Sequence, residues 1–220
     1  KITSGTVNTA VGATSLDANT TGGYNTAIGH ASLTANTTGE TNTALGNNVL
    51  QANTTASQNT GAGTNAMYAN TTGADNAAFG HNSLDSNTTG SNNTALGKSA
   101  LGANTTASNN TAVGYKSLHA NTTGAYNTSI GYNSMDANTT GTENAAGGWN
   151  ALGGNTTGSY NTAFGGASLD ANTTASNNTA FGFKALTENT TGDENVAVGS
   201  LSLDANTTAG GNSALGYASL

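Results

Sequence analysis

The sequence predicts an all-β protein, a parallel β-solenoid (β-helix or β-roll) with one 17-residue coil per repeat and about 13 coils. Three observations predict this fold. Asn recurs every 17 residues and defines position one of the repeat; position five is Gly, and position nine is Leu or Met, in all thirteen copies; and positions twelve to fourteen read Asn-Thr-Thr in all twelve complete copies. The position-one residues are Asn8, Asn25, Asn42, Asn59, Asn76, Asn93, Asn110, Asn127, Asn144, Asn161, Asn178, Asn195 and Asn212. Because no copy contains an insertion or a deletion, each unit is expected to stack on the previous one in the same register.

The content of the repeat favours strands over helices. A 17-residue helical hairpin would hold two helices too short to persist, and Gly, Asn and Thr are poor helix formers. A typical unit opens with the extended run Asn25–Ile28, and Gly29 follows it. Glycines at positions five and fifteen are expected at corners, where positive φ is often needed. At ~4.8 Å per coil, the coils would make a rod about 60 Å long.

Leu or Met at position nine, with Ala at positions three and eleven, predicts a thin core represented by Leu33, Leu118 and Leu169. The invariant Asn at positions one and twelve predicts ladders in which each amide bonds to the equivalent Asn one coil along. Thr at position fourteen is expected to share a face with the Asn at position twelve and to join its ladder. The predicted ladder residues are Asn25, Asn42, Asn127, Asn36, Asn53, Asn121, Thr38 and Thr123.

Position four is apolar in nearly every repeat and follows the inward Ala of position three. In a strand the two side chains point to opposite faces, so position four would form an outward stripe. Monomers rarely expose such a stripe, which predicts a homo-oligomer whose stripes meet. The alternative is that position four faces inward and the core tolerates varied sizes. The predicted interface residues are Ile28, Phe79, Ile130, Phe164 and Phe181.

The composition excludes several classes of protein. Four Lys and Arg residues leave no basic patch, so no nucleic-acid partner is expected. The chain has no Cys, which excludes disulfides, thiolate metal sites and a cysteine nucleophile. No stretch approaches the ~20 apolar residues of a membrane span, so membrane insertion is not expected.

The residues resemble a known class of repeat. Tyr24–Leu33 and Asn36–Gly39 are similar to the repeats of phage-tail-fibre-like and bacterial surface proteins, and to the head repeats of trimeric autotransporter adhesins. The resemblance covers essentially all of residues 1–220. It implies trimerisation, which in many of the fibre proteins is driven by a C-terminal self-cleaving chaperone domain. The adhesin heads use a shorter coil, and residues 1–220 contain no chaperone, anchor or coiled-coil stalk.

Residues 1–220 are interpreted as a single repeat domain. Lys1 falls at position eleven and Leu220 at position nine, so the sequence begins and ends inside the pattern without a divergent capping coil. We therefore expect either a segment of a longer shaft or a subunit that stacks end to end into a filament.

No catalytic, cofactor or metal site is predicted. His30 and His81 share one phase but lie three coils apart, about 14 Å, which is too far for a shared metal. Acids recur at position ten, but Thr, Gln, Tyr, Gly and His also occupy it, which is typical of a solvated corner. The chain is therefore not expected to be an enzyme.

The predicted function is structural: a self-assembling component of an extracellular fibre, surface appendage or virion tail-fibre shaft. Aromatic residues at positions six, ten and seventeen form no continuous row in this interpretation, but they could contact host surface glycans. The alternative is an ice-binding solenoid that uses ranked threonines at position thirteen, Thr20 through Thr207, and at position two. Each Asn-Thr-Thr is also a formal glycosylation acceptor, which an inward Asn ladder would hide.

Overall fold

In a computed structural model, which describes residues 5–220, the chain is an all-parallel β-solenoid of about 12 turns with a spacing of about 17 residues and no helix in the described part. Lys1, on which the end-to-end hypothesis depends, lies outside the described residues. The strands are β1 (Thr9–Val11), β2 (Thr26–Ile28), β3 (Thr43–Leu45), β4 (Thr60–Ala62), β5 (Ala77–Phe79), β6 (Thr94–Leu96), β7 (Thr111–Val113), β8 (Thr128–Ile130), β9 (Ala145–Gly147), β10 (Thr162–Phe164), β11 (Thr179–Phe181), β12 (Val196–Val198) and β13 (Ser213–Leu215). Each strand covers positions two to four, which confirms the predicted fold class.

The chain divides into two compact units, the first ending at Asn109 and the second beginning at Asn110. Strands β1–β6 belong to the first unit and β7–β13 to the second. Within each unit, consecutive strands pair in parallel with a shift of one repeat; Ala27 faces Ala44, and Phe164 faces Phe181. Backbone bonds extend this pattern beyond the strands, as from the Leu33 N–H to the Val49 carbonyl at 3.0 Å. Because neighbouring coils use these backbone N–H groups throughout, proline has no place in the repeat.

The core of each coil is built from positions three, eight and nine. The predicted core leucines Leu33, Leu118 and Leu169 are fully buried, and so is the position-three residue Ala27. The prediction for position eleven is wrong, since its alanines are half-buried or exposed. Position eight is buried instead, as Ser32 shows.

The backbone explains why positions eight and nine both face inward. Positions seven and nine are left-handed in every described coil, with φ of 54° at Ala31 and 50° at Leu33. Two left-handed residues with one residue between them break the alternation of an extended strand. Adjacent side chains can then enter the same core.

The two glycine phases differ in their backbone. Gly29 at position five has φ of 130°, and a Cβ there would lie 2.2 Å from the carbonyl oxygen of Gly46 in the next coil. Position fifteen has no such φ in any repeat, and Ala replaces Gly there at Ala56 and Ala107. Only the position-five glycine is therefore the predicted positive-φ corner; the other left-handed corner is at position seventeen, as at Tyr24 with φ of 59°.

Candidate functional site: buried asparagine ladders and outward faces

The position-one asparagines form a buried ladder between backbone and side chain. The backbone N–H of Asn42 donates to Oδ1 of Asn25 at 2.9 Å. In the second unit, the backbone N–H of Asn144 donates in the same way to Oδ1 of Asn127 at 3.0 Å. Most of these amides are held in place because Nδ2 donates to the position-fifteen carbonyl of the same repeat, as from Asn42 to Ala56 at 2.8 Å; Nδ2 of Asn178 donates instead to the Ser176 carbonyl.

The position-twelve asparagines form a second ladder, from side chain to side chain. Nδ2 of Asn53 donates to Oδ1 of Asn36 at 2.8 Å, and Nδ2 of Asn138 donates to Oδ1 of Asn121 at 2.9 Å. These residues are fully buried. The Asn of each Asn-Thr-Thr acceptor sequence therefore points into the folded coil, away from solvent.

The two ladders meet at one backbone carbonyl in each coil. The Ala56 carbonyl accepts from Asn42 at 2.8 Å and from Asn53 at 3.0 Å. One oxygen thus joins two asparagines that are 11 positions apart in the repeat. This junction satisfies polar groups that would be costly to bury alone. The sequence predicted that these asparagines are buried in ladders. It could not predict their shared acceptor, because a backbone carbonyl is present at every residue and leaves no pattern in the sequence.

The prediction for Thr38 and Thr123 is wrong. Both threonines are exposed, and the coil-to-coil bond comes from the residue before, as Thr37 Oγ1 donates to the Thr54 carbonyl at 3.0 Å. The backbone N–H groups of Thr37 and Thr38 donate to that same carbonyl, at 2.8 and 3.3 Å. The chain therefore bends sharply at position thirteen, so positions twelve and fourteen do not share a face as they would in a strand.

The position-fourteen threonines form an exposed rank in each unit. All twelve are solvent-exposed, and within residues 5–220 their hydroxyls make no hydrogen bond. Neither packing nor hydrogen bonding inside the coil therefore explains why Thr recurs at this position.

Position four faces outward, as one of the two alternatives predicted. Ile28 and Phe79 are 42% and 40% exposed in the first unit, and Ile130, Phe164 and Phe181 are 47%, 39% and 44% exposed in the second. The rings of Phe164 and Phe181 stack on each other with centroids 5.5 Å apart. These side chains form the position-four stripe, an apolar and solvent-exposed row in each unit.

Position six carries a second row that the sequence interpretation missed. In the second unit Tyr115, Tyr132 and Trp149 occupy this position in three consecutive coils, and the two tyrosine rings stack with centroids 5.2 Å apart. Gly166 follows, and a Cβ placed on it would contact both Trp149 and Phe183. The expectation of no continuous row is therefore wrong for this unit. Inspecting position six separately in the two halves of the sequence would have revealed it.

The ionisable groups of the chain are its candidate ligands for a metal ion. No group of three His, Cys, Asp or Glu residues in residues 5–220 could hold a metal ion. Burial, and then the charge of Glu188, raise the pKa of the Asp170 carboxyl. His30 is exposed, and its Nδ1 lies 3.2 Å from Nδ2 of Asn47.

Nothing in residues 5–220 forms a helix long and apolar enough to span a membrane. Comparisons with protein-family models, with curated proteins and with solved structures gave no match to this chain.

Proposed function

We propose that this chain is a non-catalytic structural component of an extracellular fibre, surface appendage or virion tail-fibre shaft. The repetition of one coil supports the proposal most directly. Every coil repeats the same strand, the same corner glycine and the same buried asparagines, so each unit is a regular stack with coil-to-coil hydrogen bonds. Such a stack resists local opening, which suits a mechanical role.

We further propose that copies of the chain associate through the position-four stripe. Its side chains repeat once per coil, at ~4.8 Å. A second solenoid with the same rise offers a matching row, so contacts would repeat along the whole length of the stripe. The resemblance to trimeric adhesin heads favours a trimer, and end-to-end stacking of such oligomers would give a filament. Host surface glycans are the external partner proposed for the exposed aromatic residues.

Sedimentation velocity of Phe181→Asp tests the association. A charge in a packed apolar interface would be costly, so we expect a smaller assembly than the unaltered chain forms. The coil should still fold, because position four is exposed and Gly147 already occupies it without a side chain. Thr191→Asp is the matched control, since it adds the same charge at an exposed position of the same repeat. An unchanged mass for Phe181→Asp, with native circular dichroism, would show that the stripe is not the interface.

Ice binding is a second candidate, and the exposed position-fourteen rank favours it. These hydroxyls are free and repeat at the coil spacing, unlike those of position thirteen, which donate to the next coil. An ice-recrystallisation assay of the unaltered chain and of Thr140→Lys tests this function. If the unaltered chain inhibits ice recrystallisation and Thr140→Lys inhibits it less, ice binding is supported. If the unaltered chain does not inhibit recrystallisation, ice binding is excluded.

A further inference from the structure

The second unit contains an open notch of about 390 Å³. It is lined by Tyr126, Thr128, Glu143, Asn144 and Ala145. Tyr126 and Glu143 occupy position seventeen in successive coils, and their left-handed backbone, with φ of 59° and 56°, directs both side chains outward. The Glu143 N–H donates to the Ala125 carbonyl at 3.1 Å, which fixes the spacing of the two backbone segments that carry these side chains.

The base of the notch is equally well held. Asn144 is buried, and its Nδ2 donates to the Gly158 carbonyl at 2.9 Å and to Oδ1 of Asn127 at 3.2 Å. Its amide is thus used by the ladder and does not turn toward the notch. Ala145 beside it contributes only a methyl group, and Thr128, its partner in the preceding coil, adds a side chain that carries a hydroxyl.

Along the chain, an acidic residue at position seventeen coincides with an apolar residue at position two of the following repeat. Position seventeen is acidic in three repeats, at Asp75, Glu143 and Glu194. Two residues later, at position two of the following repeat, the chain carries Ala77, Ala145 and Val196, whereas position two is Thr or Ser in every other repeat. At the notch, a Thr hydroxyl would face the same cavity as the carboxylate and could donate to it. Its loss leaves the Glu143 carboxylate without a hydrogen bond or ion pair within residues 5–220.

A carboxylate that forms no ion pair, an exposed tyrosine ring and the Ala145 methyl group together suit one class of ligand. An ammonium group can pair with the carboxylate and lie against a tyrosine ring, while its methylene stem packs on the Ala145 methyl. The second unit attracts cations, because it contains two lysines against seven acidic residues. We propose that this notch binds a primary alkylammonium group of the kind that a partner protein's lysine side chain presents.

Residue-resolved NMR of the full chain, titrated with n-butylammonium chloride, tests the site. We expect saturable shifts of the backbone amides of Thr128, Asn144 and Ala145. Butanol supplies the same stem without the charge, and NaCl supplies the ionic strength; neither should reproduce the shifts. Shifts that NaCl reproduces would mean general screening of charge and would overturn the proposal.

The most informative substitutions either keep the shape of the residue or introduce the residue that other repeats have at the same position. Glu143→Gln should weaken butylammonium binding by up to about five-fold, the effect of losing one exposed ion pair. Ala145→Thr restores the common residue at position two and should also weaken binding, by filling the notch and engaging the carboxylate. Glu188→Gln removes an acid outside the notch and should leave affinity unchanged. Equal affinity for Glu143→Gln and the unaltered chain would contradict the site.

Discussion

At the scale of single residues, the asparagine ladders are the costliest feature to disturb. Apart from those in the end coils, the ladder amides are buried, and an amide such as that of Asn53 bonds both along the ladder and to a backbone carbonyl. Removing it therefore leaves acceptors that water cannot reach. The exposed threonine two residues later makes no such bond. Neighbouring invariant residues of one Asn-Thr-Thr motif therefore have very different energetic roles.

Asn53→Ala tests this difference. The substitution removes the donor to Asn36 Oδ1 and should lower the free energy of unfolding by about 1–3 kcal/mol, the cost of an unsatisfied buried polar group. Thr55→Ala, in the same motif but exposed, should change it by less than about 0.5 kcal/mol. Chemical denaturation followed by circular dichroism measures both. Equal effects of the two substitutions would argue against the buried ladder.

Leu118 tests the core in the second unit. Leu118→Ala should cost about 2–5 kcal/mol of unfolding free energy, because it leaves a cavity that the stacked coils cannot fill. Leu118→Met should cost less than about 1.5 kcal/mol, and Met135 already occupies this position one coil later. Leu118→Asp should prevent native packing of this coil, since a charge would be buried without a partner. If the Leu118→Asp variant kept native thermal stability, the conclusion that the position-nine side chain points into the core would be wrong.

At the scale of the coil, the corner after each strand depends on one backbone conformation. Gly29 combines a φ of 130° with a close approach to the next coil, so a side chain there meets strain and a clash together. Position fifteen lacks this φ, and the chain accepts Ala there in several repeats. The two glycine phases should therefore respond differently to the same substitution.

Gly29→Ala should lower the unfolding free energy by about 2–3 kcal/mol, the cost of strained backbone. Gly39→Ala should cost less than Gly29→Ala. A Cβ on Gly39 would also lie close to the next coil, 2.3 Å from the Ala56 carbonyl oxygen, but its φ is not in the left-handed region, and Ala56 shows that a coil adapts to alanine at that phase. Thermal denaturation of the two variants compares them directly. A Gly39→Ala variant less stable than Gly29→Ala would reverse this assignment of the corner.

At the scale of the whole molecule, the chain is acidic, with a net charge of −7. Burial raises the pKa of Asp170, with the Glu188 charge adding to the shift, so the folded state binds the Asp170 proton more tightly than the unfolded state does. This contribution to stability is present below the ordinary carboxyl range. It is lost as the pH rises through the raised pKa.

Asp170→Asn should therefore make the protein more stable at pH 7 and flatten the dependence of stability on pH between the ordinary carboxyl pKa and neutrality. Urea denaturation midpoints at pH 4 and pH 7 provide the measurement. Asp204→Asn is the control, because it removes the same charge from the same phase of the repeat. Equal slopes for Asp170→Asn and the unaltered chain would show that this carboxyl does not contribute.

The sequence by itself determined the coil length, the register and an extended run within positions one to four, and it favoured an outward position four over the inward alternative. An invariant 17-residue period permits one register only, and alternation assigns faces wherever the backbone is extended. The same reasoning placed Asn25 and Asn36 inward, because ladders follow from identical residues at identical phases.

Only the tertiary structure decided the faces outside the strand. Left-handed residues at positions seven, nine and seventeen, and the bend at position thirteen, interrupt the alternation. Ser32 therefore lies inside where Ala35 was expected, Thr37 bonds to the next coil in place of Thr38, and the Ala56 carbonyl joins the two ladders. Alternation along the chain gives the direction of a side chain only where the backbone is extended, and most residues of each coil lie outside its three-residue strand.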